Sequence, residues 1–326
     1  MVTIVLQIST PHHNTISPSH HLNITTNNMF YIHWAFILAY VFIIVSIMLA
    51  VLMDNRQPAK TIAWVMVLLF MPIVGIILYV FFGRNTRKMT FISQRSLDQL
   101  SKRSMLEFVE QRQLTLPDDY RSLIQLFTNQ SLALPFKDNE VEFYTDGYEF
   151  FPALLKSIAS ARKHIHLETY IFADDALGRL VADALICKSR EGVEVRLIYD
   201  DVGCWRVPRE LFERMRRAGI DVNAFMPVKF PAFTSKVNYR NHRKVCVVDG
   251  VEAFVGGMNI ALRYVKGIYK GRLPWRDTHL RIRGGAVYAL QRTFLVDWYF
   301  VDRTLVTNSK YYPPMPWRID NNCLMQ

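Results

Sequence analysis

A chain of 326 residues with 39 Lys and Arg against 28 Asp and Glu carries a formal net charge of +11 and has a pI near 9.5. That length accommodates one sizeable core plus smaller elements, and the charge points to an anionic partner, a phospholipid surface or nucleic acid, unless it is only a solvated basic face. Cys187, Cys204, Cys246 and Cys323 form no Cys-x-x-Cys pair, which argues against a zinc or disulfide framework and fits a reducing compartment.

Residues 1–33 read as a polar tail, in which His12, His13, His20 and His21 belong to no pattern. Trp34 to Met53 and Thr61 to Gly83 are two apolar runs without a charge, each long enough to cross a hydrocarbon core of roughly 30 Å as a helix. With the short connector 54–60 they predict a transmembrane hairpin over 34–83. A signal peptide fits the first run badly, because residues 1–33 contain no Lys or Arg and the run is too long for an h-region. Tyr31, Trp34 and Tyr79 suit the membrane interface. Arg84, Arg87, Lys88 and Arg95 outnumber Arg56 and Lys60 in the connector, so the positive-inside rule places the body of the chain in the cytoplasm. A basic body tethered beside an anionic leaflet is drawn onto lipid headgroups.

Residues 84–133 are polar and largely helical in pattern, a connector. From 134 to 326 helical and strand patterns alternate. Helices are expected over 152–162, from Asp174 or Asp175 to Arg190, from Pro208 to about Gly219, and over 286–301. Strands are expected over 164–172, 193–199, 221–225 and 277–282, with a hairpin of 244–248 and 252–255 about Asp249-Gly250. The interleaving predicts an α/β domain, a mixed sheet layered between helices.

His242, Lys244 and Asp249, followed by Gly256-Gly257-Met258-Asn259, form a grouping that occurs once. Residues 242, 244, 246 and 248 fall on one face of a strand, so His242 and Lys244 project together while Cys246 and Val248 pack inward. Gly256-Gly257 lets the backbone approach a bound group, and Asn259 adds an amide donor. A phosphodiester placed there meets an ammonium and an amide, and a neutral imidazole can attack phosphorus or carry a proton. Taken one by one, these elements are also what an ordinary surface and an ordinary turn contain.

The spacing His-x-Lys-x4-Asp-x6-Gly-Gly-x-Asn resembles the phospholipase D superfamily, and the wider chain resembles bacterial cardiolipin synthases. The resemblance extends to Asp54-Asn55-Arg56, Phe81-Phe82-Gly83, Glu168 to Phe172, Gly192 to Asp201 and Trp275 to Ile282. It implies a membrane-bound phosphatidyltransferase that joins two phosphatidylglycerols, releases glycerol and passes through a phosphohistidine. On this chain it implies His242 as nucleophile, Lys244, Gly257 and Asn259 as phosphate binders, and Asp249 as a structural or charge-balancing member of the motif. Asp277 stands where the family carries an acid that orients a catalytic imidazole; pairing with Arg276 or Arg281 is the alternative. No cofactor, metal or nucleic acid is expected.

The family uses two such motifs. The expectations are therefore a portion of a longer enzyme, or a chain that works as a homodimer. A hydrolase of the same superfamily and an inactive lipid-binding fragment are the competing functions. Two lesser groupings stand outside the motif: His164 and His166 share a strand face and could bind a metal, without a third ligand nearby, and Asp200-Asp201 read as a turn or a cation site.

Overall fold

The computed structural model describes residues 18–53, 58–79, 117–131, 133–228, 240–267, 273–316, 319–321 and 323–326. The basic cluster at 84–95 and most of the connector lie outside these residues. The chain divides into two compact units, Met1–Asn85 and Thr86–Gln326.

In the first unit, α1 runs from Pro18 to Met53, so helix begins well inside the stretch expected to be a tail. Its segment Met29–Met53 is long and apolar enough to cross a membrane. The second apolar run departs from expectation. It forms α2 (Pro58–Phe70) and α3 (Pro72–Leu78) in place of one continuous helix. The reason is Pro72, which has no N–H to continue the ladder and forces its predecessor out of helical geometry; Met71 has φ −135° and ψ 65°. Residues 80–83 lie outside the described set.

The second unit holds a short helix, α4 (Arg121–Ser131), and a seven-stranded sheet. Its strands are β1 (Glu140–Tyr144), β2 (His164–Thr169), β3 (Glu194–Asp200), β4 (Asp221–Phe225), β5 (Val245–Val248), β6 (Glu252–Gly256) and β7 (His279–Arg283), in the order β1-β7-β6-β5-β2-β3-β4. β2, β3 and β4 are parallel, and the remaining neighbours are antiparallel. The sheet is therefore mixed, as the pattern predicted. β1 has no counterpart among the predicted strands. It is an edge strand with only Tyr144 fully buried, and one buried position leaves no alternation to read.

Helices α5 (Gly147–Ser160), α6 (Ala176–Arg190) and α7 (Arg209–Arg217) supply Phe150, Leu154, Val181, Leu185, Phe212 and Met215 to one core. Leu167, Leu197, Cys246 and Val248 meet them from the sheet. Val245 and Val247 point to the other face, with Val287 and Tyr288 of α9 (Ala286–Asp302). Between α7 and α9 comes a single turn, α8 (Arg263–Lys266). Cys246 and Val248 thus share the inward face expected of them.

Asp175, rather than Asp174, caps α6, accepting from the Gly178 N–H at 2.9 Å. α5 starts five residues before Pro152 because Asp146 caps it, accepting from Glu149 N–H at 3.0 Å, and buried Phe150 and Phe151 anchor its first turns. The C-terminal residues fold back onto the segment before β1. Met325 and Phe136 exchange two backbone hydrogen bonds of 2.8 Å.

Candidate functional site

His242 sits on the extended segment leading into β5. Its ring is exposed, 4.8 Å from the Tyr170 ring centroid. The peptide that carries it is held on both sides. Asn241 Nδ2 donates to Glu168 of β2, and also to Asp297 of α9 at 3.3 Å. Asn241 N–H donates to Asp200 at 3.3 Å, and Asn241 Oδ1 accepts from Arg243 N–H at 3.0 Å. The Arg243 guanidinium donates to Asp297. An exposed imidazole is thus mounted on a main chain held by its neighbours.

Lys244, buried at 4% exposure, donates from Nζ to the His242 carbonyl at 2.6 Å and lies over the Tyr170 ring at 5.4 Å. Burial pushes its pKa down to about 8, against the pull of Asp277, Asp200 and Glu168. Burial and the Lys244 charge also lower the pKa of His242, which therefore holds a neutral ring at pH 7. A cation and a neutral imidazole side by side can bind and attack a phosphodiester. The cation is present below about pH 8 and disappears above it. Any turnover that needs the Lys244 charge is expected to fall as pH rises through about 8, and a pH–rate profile that stays flat to pH 10 contradicts that dependence.

Beneath the site, Glu168 is fully buried next to Asp297. Burial, then the Asp297 charge, raises its pKa well above the ordinary carboxyl value. Asp200 is buried too, and its Oδ1 accepts from Val202 and Gly203 N–H at 2.9 Å each. That makes Asp200 the anchor of a turn; Asp201 accepts from Val228 N–H at 2.7 Å.

The glycines serve a different purpose from the one their spacing indicated. A Cβ on Gly257 would lie 1.9 Å from Asp277 Oδ1, and one on Gly256 would lie 2.4 Å from the Thr278 carbonyl. Their bareness admits the chain entering β7. The Gly257 N–H donates to Thr278 O at 2.9 Å, so it is not aimed at a ligand. Asn259 is buried; its Oδ1 accepts from Ile171 N–H at 3.0 Å and its Nδ2 donates to Tyr264 at 3.1 Å. Asp277 precedes β7 instead of lying in it; its carboxylate packs at Gly257 and its charge pulls the pKa values of His242 and Lys244 upward against burial, while Arg281 pairs with Glu142 and Glu252.

Asp249 is not brought to the others. It stands beyond the far end of β5, roughly 16 Å from Lys244 at the ordinary rise of a strand. Its carboxylate accepts from the N–H groups of Arg162, Lys163 and His164 at 2.9, 2.7 and 3.0 Å. His164 and His166 do share a face, but Gln291 bridges them at 3.2 and 2.7 Å. Burial lowers their pKa values to about 4 and about 3. They are neutral core imidazoles, and among the described residues no group of three His, Cys, Asp or Glu could hold a metal.

Sequence reasoning gave no role to Tyr170, Asn241 or Asp297, and none to the buried His279 imidazole, which stacks 4.0 Å from Phe150. Glu168 carried a signal, a charge at a strand position that must face a core; Asn241 and Asp297 carried none.

Residues 154–269 match the family model "Cardiolipin synthase, PLD-like domain", and residues 37–84 match "Phospholipase_D-nuclease N-terminal". The chain carries a phospholipase D-like domain of the cardiolipin synthase family. A cardiolipin synthase of Oceanobacillus iheyensis is 40% identical over 80% of this chain and 56% of its own length. One of Alkalihalophilus pseudofirmus is 38% identical over 83% and 54%, and the major cardiolipin synthase of Bacillus subtilis is 37% identical over 80% and 56%. The chain therefore spans about half the length of these curated relatives. Among solved structures, a phospholipase D family member from Salmonella typhimurium is 19% identical with a TM-score of 0.37, covering 50% of this chain and 96% of that one.

Proposed function

We propose that this cardiolipin synthase-family domain transfers a phosphatidyl group between two phosphatidylglycerol molecules, forming cardiolipin and glycerol. The observation that carries the reading is the exposed, neutral His242 ring on a clamped main chain, with the buried Lys244 cation beside it. A ring nitrogen of His242 attacks phosphorus and the P–O bond to glycerol breaks, leaving a phosphatidyl-histidine. The hydroxyl of a second phosphatidylglycerol then displaces His242. Lys244 faces the non-bridging oxygens, where the transition state carries its charge. Asn259 keeps one amide N–H for the phosphate after the other goes to Tyr264, and Asp277 orients an imidazole. Asp249 acts by holding the fold.

The protons that leave with glycerol and come from the acceptor hydroxyl need a second acid–base. We assign it to a second His-Lys-Asp motif, in another copy of this chain or in a further segment of the same protein. The apolar runs of 34–83 anchor the enzyme as a two-span hairpin in the inner (plasma) membrane, with 134–326 as the catalytic half-domain on the cytoplasmic side and 84–133 connecting them. The cation count on either side of the spans supports that orientation.

Membranes from cells that make this protein, incubated with labelled phosphatidylglycerol, are expected to give labelled cardiolipin and free glycerol in equal amounts. Labelled phosphatidic acid without cardiolipin would mean that water is the acceptor, and the transfer reading would fail.

A further inference from the structure

Among the described residues of the second unit, Trp205 is 62% exposed and Trp275 46%. They are connected. Trp205 and Arg263 line one open groove of about 980 Å³, and the Arg263 guanidinium lies 4.6 Å over the Trp275 ring. The groove adjoins the catalytic constellation, because its wall residue Ile171 follows Tyr170, the ring beside His242. Gly203 in the same wall packs so closely that a Cβ there would lie 2.2 Å from the Tyr170 carbonyl.

The charge on this wall is mainly basic. Arg206 and Arg263 line the groove, and among the described residues neither has a carboxylate within ion-pair distance. The acid that lines it, Asp174, is held by Arg179 at 2.7 Å. The basic helix α7 is different: Arg214, Arg216 and Arg217 each pair with an acid, Asp183, Glu213 and Glu210. Exposed indole rings interleaved with guanidinium groups that no described carboxylate pairs match the headgroup layer of a membrane, where aromatic rings settle at the interface and cations meet anionic lipid. A second copy of the chain docking through the same face would set these arginines against their own counterparts, since a twofold interface is self-facing.

We infer that the wall from Trp205 across Arg263 to Trp275 docks onto the anionic phospholipid surface and presents headgroups to His242. The inference rests on the proposal that the substrate is a membrane phospholipid, but its test does not need turnover.

The full chain would be reconstituted into vesicles of phosphatidylcholine alone or mixed with phosphatidylglycerol, and amide hydrogen exchange followed with cardiolipin formation on the same samples. Exchange over 201–208 and 260–267 is expected to slow about tenfold in the mixed vesicles, while 210–217 is unchanged. The Arg206→Glu/Arg263→Glu chain is expected to lose that difference while melting as the wild type does. Equal exchange in both lipids overturns the docking surface, even if cardiolipin is made. Slowing in phosphatidylcholine that grows with protein density assigns the face to a second copy, and slowing on adding RNA to those vesicles assigns it to a nucleic acid; either overturns the inference. Slowing in mixed vesicles without any cardiolipin supports the docking surface and counts against the synthase reading alone.

Discussion

A His242→Ala chain is expected to lose phosphatidyl transfer by about 10³-fold or more while melting at the wild-type temperature. The loss is large because an alanine leaves nothing to form the covalent intermediate; Lys244 alone can hold a phosphate but cannot attack it. The fold should be indifferent because the ring is exposed and its close neighbour is the face of Tyr170. The main chain at 242 keeps its support, since Asn241 and Arg243 reach Glu168, Asp200 and Asp297 through their own atoms, and Lys244 bonds the carbonyl of residue 242, which alanine also has. Labelled product per folded molecule is the measurement. Transfer within tenfold of wild type would remove His242 from the role of nucleophile.

Asp249→Ala is expected to do the reverse. Its carboxylate accepts three backbone N–H groups at the start of β2, and hydrogen bonds to a charged acceptor are worth about 1.5–3 kcal/mol each at most. The residue also has φ 55°, where Asp is tolerated better than Ala. Two of the three amides belong to exposed contacts, so water replaces part of the loss. A net destabilisation of about 3 kcal/mol follows, a fall of roughly 10 °C in melting temperature for a unit of this size. Asp249→Asn keeps one acceptor oxygen and the tolerance for positive φ, and is expected to lose about half as much. Turnover per folded molecule should stay within about twofold of wild type in both. A chain that melts normally but fails to turn over would place Asp249 in the chemistry, contrary to its position beyond the far end of β5.

These two expectations separate what a motif spells from what it does. His242, Lys244 and Asp249 are equally visible as letters, yet the first two meet over Tyr170 and the third holds the β5–β6 turn to β2. The alternation over 242–248 was enough to place His242 and Lys244 together, because a strand has one periodicity and Cys246 and Val248 show which face is inward. The spacing of Gly256 and Gly257 announced a close approach but not its occupant, which is the segment Asp277–His279 leading into β7. A glycine reports that a Cβ does not fit; only the neighbouring strand says why.

The mixed α/β layering, four helices and six of the seven strands among the described residues, the apolar segment that forms α1, and the pair His242–Lys244 were legible from the residues alone. Each rests on a local rule: periodicity, a capping residue, an uncharged run, or alternation along one strand. Tertiary structure decided what depends on distant partners. It set the edge strand β1 against β7 and gathered Glu168, Asn241 and Asp297 from three separate elements under the His242 main chain. It also lowered the Lys244 pKa to about 8, because desolvation is a property of everything packed around an ammonium and not of the residues beside it in the chain.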